Sequence, residues 1–149
     1  SARTVDGYRA TAKLLDSLGQ RTRDAGIQFL YHNHAFEFDA LPGGACSMDI
    51  LLCETDAGLV AFEVDTYWIE RGGRDAGQFI KQHAARVGAI HAKDLRKRDN
   101  ADVPAGQGDV DFKFIVPLAR RRNWPVVVEY EGENAVAAVT ESARHLAAF

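Results

Sequence analysis

At 149 residues, 46% hydrophobic and 26% charged, the chain has ordinary globular composition and enough length for one buried core, which excludes a disordered or fibrous protein. A formal charge of −3 and a pI near 5.9 give no general pull toward nucleic acid or an anionic membrane, and no apolar run reaches the ~18 residues of a membrane span. The opening SARTVDGYRA lacks the basic-then-apolar pattern of a secretion signal, so a soluble, cytoplasmic setting is expected.

In chain order, residues 3–24 place Tyr8, Ala12, Leu15 and Leu18 at helical spacing among Arg, Lys and Asp, with Gly26 as the stop. Ile27 to Glu37, IQFLYHNHAFE, alternates Ile27, Phe29 and Tyr31 with Gln28, Leu30, His32 and His34. That alternation predicts a strand with unlike faces, on which His32 and His34 point the same way. Pro42-Gly43-Gly44 breaks the chain, and Ser47 is expected to cap a helix holding Met48, Leu51 and Leu52. Cys46 and Cys53, roughly on one face of that segment, suit free thiols better than a disulfide. A second strand is read over Leu59 to Asp65, then a helix capped by Asp75, then a third strand over Val87 to Lys93. The polar loop RKRDNADVPAGQGDV ends at Asp111, read as the cap of the next helix; Pro125 to Glu131 is a fourth strand, and Ala135 to Ala148 a closing helix. Helix and strand in regular alternation, with steps near the ~30 residues of a βαβ unit, predict a parallel sheet with right-handed crossovers.

Late in each strand one parity is ionisable: His32 and His34, Glu63 and Asp65, His91 and Lys93, Glu129 and Glu131. Strands of a parallel sheet normally read as continuous apolar runs. Desolvated carboxylates without a partner would each cost on the order of several kcal/mol. A divalent ion held by imidazole nitrogen and carboxylate oxygen compensates them with few groups. Arg96, Lys97 and Arg98 read as a solvated loop, Gly106 and Gly108 as a turn, and His83 and His145 as surface residues.

The segments YHNHAFEF, FEVDTYWIERGGRD, HAKDL, GQGDVDF and WPVVVEYE, in this order, resemble the C-terminal half of the sugar phosphate isomerase/epimerase family, the xylose isomerase-like TIM barrels, in the branch with a YHNH strand. The resemblance covers nearly the whole chain. It implies an eight-stranded barrel with one divalent metal, Mn, Zn, Mg or Co, at the C-terminal face, held by Glu, Asp, His and Glu from four strands. By motif, Asp65 matches the Asp, His91 the His and Glu129 the last Glu. His32 stands where the family has its first Glu, which leaves His32, His34 or Glu37 as the fourth ligand; strand parity favours the two histidines, and His32 is carried in the set.

The resemblance also implies a chemistry. A metal bridging two neighbouring oxygens of a keto sugar polarises the carbonyl and stabilises the enediolate left when an α proton departs. Glu129 would then be ligand and acid/base, and His32 would shuttle the proton in place of the missing carboxylate. Lys93 would stabilise the oxyanion unless it pairs with Glu63 or Asp94. His34, Tyr67 and Trp68 are expected beside the sugar or polyol. Reprotonation gives an isomerase or epimerase; loss of a β-hydroxyl gives an inosose-type dehydratase or lyase. A non-catalytic sugar-binding remnant is a third reading, and metal-dependent nucleic-acid repair is disfavoured by the acidic balance.

A closed barrel typically needs about 250 residues, and this chain supplies four strands. The expectation is a single partial TIM-barrel domain over residues 1–149, completed either by a missing N-terminal half or by self-association into a homo-oligomer.

Overall fold

A computed structural model of the chain describes residues 3–149. Helix α1, Val5–Asp24, starts at Thr4, whose hydroxyl accepts the Gly7 N–H at 3.1 Å. It buries Tyr8, Ala12, Leu15 and Gly19 along one stripe, as helical spacing dictates. Strand β1 is Phe29–His32, shorter than the alternation predicts. After His32 the chain enters a 3-10 turn, Ala35–Phe38, so His34 and Glu37 lie beyond the strand.

Helix α2, Ser47–Glu54, has Cys46 at its N-cap position. Ser47 is not the cap: it is the first helical residue, and its hydroxyl donates to the Glu37 carbonyl at 3.1 Å. Both cysteines are free, Cys46 buried and Cys53 exposed. Strand β2, Val60–Asp65, passes directly into helix α3, Thr66–Arg71, and then helix α4, Ala76–Gln82, capped by Asp75 as expected. Strand β3 is Val87–Ala92. The segment expected to be a loop contains a hairpin, β4 Asp94–Arg96 against β5 Ala101–Val103. Helix α5, Phe112–Arg122, begins at the Asp111 cap; strand β6, Val126–Val128, and helix α6, Ala135–Ala147, complete the chain.

The sheet is parallel throughout, in the order β1-β2-β3-β6. Alternation sorts it into two faces. Val60, Phe62, Val64, Ile90 and Ala92 join Met48, Leu51, Ile80 and Ile115 in the apolar core beneath the helices. The opposite parity carries the ionisable residues. Register decides which of them meet: β1 and β2 pair His32 with Glu63, and β2 and β3 pair Asp65 with His91. The second pairing depends on an irregularity, since Phe62 pairs with Val87 but Glu63 with Ala89. Gly88 is the extra residue, and a bulge of this kind shifts every later pair by one. Without it His91 would be out of step with Asp65. A Cβ at Gly88 would lie 2.5 Å from the Leu30 Cδ2 and 3.1 Å from the Ala61 Cβ, closer than side chains pack without a shift, so glycine suits the position.

Candidate metal centre

Asp65 is fully buried at the end of β2. One carboxylate oxygen, Oδ1, accepts the Trp68 N–H at 2.9 Å and so caps α3. The other, Oδ2, is buried with no hydrogen-bond partner among the described residues. His32 Nε2 stands 3.6 Å from it and His91 Nδ1 3.8 Å. His32, Asp65 and His91 each bring a ligand-type atom within 4.8 Å of the others. Burial pushes the Asp65 carboxyl up to about 7, against the Trp68 N–H and the nearby His32 and Lys93. Burial also lowers His91, which favours the neutral imidazole. A buried, unpartnered carboxylate oxygen facing two imidazoles is a donor set suited to a divalent cation.

The Asp65 backbone is itself fixed. Asn33, fully buried, accepts the Asp65 N–H at 2.9 Å and donates to the Asp65 carbonyl at 3.4 Å. This amide pairing ties the ends of β1 and β2 together, and the sequence reading did not single it out. Its signal was the Asn between the two histidines of YHNH.

Glu129 lies beyond the end of β6 and outside the three-residue cluster. Its Oε2 meets His91 Nε2 at 2.8 Å and its Oε1 meets the Lys93 ammonium at 2.8 Å. Burial opposes its ionisation, but Lys93 and His91 outweigh that and hold the carboxyl below the usual range. Lys93 is fully buried, bonded to Glu129 and, at 2.5 Å, to Glu131, with Asp102 3.9 Å away. Neither Glu63 nor Asp94 is its partner. Asp94 turns the other way and accepts the N–H groups of Gly106, Gly108 and Val110. The Lys93 ammonium also sits over Tyr67 and Trp68, 5.1 and 5.4 Å from their ring centroids.

His34 does not join the cluster. Its ring stacks on Phe36 and lies 5.3 Å from the Trp68 ring and 5.1 Å from the His32 ring, an aromatic group beside the site. Glu37 is removed altogether: fully buried, it takes the Tyr31 hydroxyl at 2.7 Å and the His34 N–H at 2.8 Å. Arg96 pairs with Asp99 and Lys97 with Glu70, so the basic run is surface structure, as expected. His83 and His145 are half-buried.

Residues 2–149 match the family described as the xylose isomerase-like TIM barrel. Among curated relatives, the chain is 27% identical to an inosose dehydratase of Clostridium perfringens, covering 87% of this chain and 49% of that one. It is 29% identical to an inosose dehydratase of Geobacillus kaustophilus, covering 89% and 46%. The chain thus spans about half the length of the curated relatives it matches. A solved sugar phosphate isomerase/epimerase from Parabacteroides distasonis superposes with a TM-score of 0.84 at 25% identity, over 99% of this chain and 55% of that one. A 3-keto-D-glucoside 4-epimerase from E. coli shares the fold, with a TM-score of 0.70 at 20% identity over 100% and 57%.

Proposed function

The chain belongs to the xylose isomerase-like TIM-barrel family, and we propose that its site serves metal-dependent enolisation of a keto sugar or cyclic polyol ketone. The observation that carries this reading is the orphaned Asp65 Oδ2 between His32 and His91. These three residues would hold the ion, with Glu129, bonded to His91 and Lys93, beside them. Bound there, a divalent ion supplies Lewis-acid polarisation of the substrate carbonyl.

The chain's own residues do the rest. Glu129, ionised beside Lys93, is the candidate base for the α proton. The Lys93 ammonium, buried under Tyr67 and Trp68, faces negative charge as it develops on the substrate oxygen. Tyr67 is buried and contributes the wall; Trp68 and His34 are the aromatic group that would pack on the sugar or polyol.

Two outcomes share the enediolate. Return of the proton gives an isomer or epimer, as the name of the Parabacteroides neighbour suggests. Loss of a β-hydroxyl gives dehydration, a reading favoured by two observations. By the family motif, His32 stands where the first Glu is expected, and the curated relatives are named inosose dehydratases. Metal-loaded protein in deuterated water, given an inosose, is expected to place deuterium at the carbon next to the carbonyl or to release the dehydrated enone. Absence of both exchange and dehydration would contradict the reading, and the ratio of the two separates its branches.

A further inference from the structure

We propose that Glu63 is a positioning residue that holds His32 as the Nδ1–H tautomer, so that the Nε2 lone pair of His32 faces Asp65. Glu63 precedes Asp65 by two residues on β2 and therefore lies one step deeper on the same face. The β1–β2 register sets it directly beside His32. Its Oε1 lies 3.1 Å from His32 Nδ1 and 3.4 Å from His91 Nδ1.

The hydrogens can be placed by following the acceptors. His91 Nε2 is 2.8 Å from Glu129 Oε2, and the other Glu129 oxygen takes the Lys93 ammonium. A carboxylate so engaged accepts, so His91 Nε2 carries the hydrogen and, in a neutral ring, Nδ1 carries the lone pair. His91 Nδ1 is 3.2 Å from His32 Nδ1. Two lone pairs would repel at that distance, and Glu63 Oε1 is a third acceptor 3.4 Å from His91 Nδ1, so a hydrogen on His32 Nδ1, shared between the two, relieves both contacts. Glu63 Oε1, on the same side, gives that hydrogen a charged acceptor. The consequence is that the lone pairs of His32 Nε2 and His91 Nδ1 are both left for the Asp65 side of the site, 3.6 and 3.8 Å from Asp65 Oδ2. Each imidazole is oriented through its outer nitrogen by a carboxylate, His91 by Glu129 and His32 by Glu63. Such partners fix the ring and raise its basicity as a ligand.

The tautomer part of the proposal stands alone; its effect on affinity rests on the reading of His32, Asp65 and His91 as ligands. In metal-free protein with 15N-labelled histidine, long-range proton–nitrogen correlations are expected to show His32 protonated at Nδ1 and His91 at Nε2. In Glu63→Ala, only the 3.2 Å contact with His91 Nδ1 would still favour the hydrogen on Nδ1, so part of the His32 population is expected to move to the Nε2–H form. His91, held by Glu129, should stay unchanged and thereby report that the site is still folded. A wild-type His32 already protonated at Nε2, or one indifferent to Glu63→Ala, would overturn the proposal whatever the metal does. For Co²⁺ binding, Glu63→Ala is expected to weaken affinity about 10–100-fold, with Glu63→Gln in between because it keeps an acceptor without the charge. Equal affinity of wild type and Glu63→Ala would also overturn it. Failure of the wild type to bind Co²⁺ would count against the ligand reading and leave the tautomer result to judge Glu63.

Discussion

Single residues settle much of this site's behaviour because each serves two neighbours. Asp94 is the clearest structural case. Fully buried, its carboxylate collects three backbone N–H groups from the turn that carries the chain toward α5, and Gly106 there has φ +97, a conformation that favours glycine. Asp94→Ala would leave those donors unmatched. A loss of about 2–4 kcal/mol is expected, at 1–3 kcal/mol per orphaned group with partial rescue by water, measured by urea denaturation. Asp94→Asn, which retains one acceptor oxygen, should lose less. Of the cluster, His32, Asp65 and His91 could be picked out from strand-end parity because side-chain direction in a strand alternates strictly, whereas Glu129, beyond the end of β6, rested on the family motif. His34 misled for the same reason: parity stops having meaning where β1 ends at His32 and the chain turns toward a 3-10 segment, so its ring stacks on Phe36 instead of joining His32.

At the scale of elements, what escaped the sequence reading was short. Helix α3 is six residues long and begins immediately after a strand, with no breaker between. Its start signal was Asp65 itself, read as a ligand and not also as a cap. The hairpin of β4 and β5 has three residues a side, too few for alternation to show in a polar run. Strand β6 stops at Val128, so Glu129 reaches His91 from beyond the last paired residue. The bulge at Gly88 left no mark in the pattern either, yet it decides which residue Asp65 faces. Because Asp65 caps α3 through Oδ1, Asp65→Ala and Asp65→Asn should differ in stability. The alanine variant is expected to be less stable by about 1 kcal/mol, the usual cost of a lost N-cap, while asparagine keeps the acceptor. Equal unfolding midpoints would show that the cap does not contribute.

For the whole molecule, the four parallel strands form half of an eight-stranded barrel. In the sheet order, β1 and β6 each have one unpaired edge. Ile27 beside the first edge and Val127 on the second are exposed, as is Val136 on α6. Free edges with apolar flanks are sites of association, so the isolated chain is expected to self-associate, with a solution mass above the 16.4 kDa of one copy. A strictly monomeric species at micromolar concentration would contradict that. Among the described residues no helix is long and apolar enough to cross a membrane. The function of the site depends on whether His32, Asp65 and His91 hold a cation. The most direct measurement is divalent metal per chain by elemental analysis, on wild type and on Asp65→Asn, which keeps the helix cap but loses the charged ligand. About one ion per chain, lost in the variant, is the expected result. A folded wild type without metal, or an Asp65→Asn protein that retains it, would contradict the site described above.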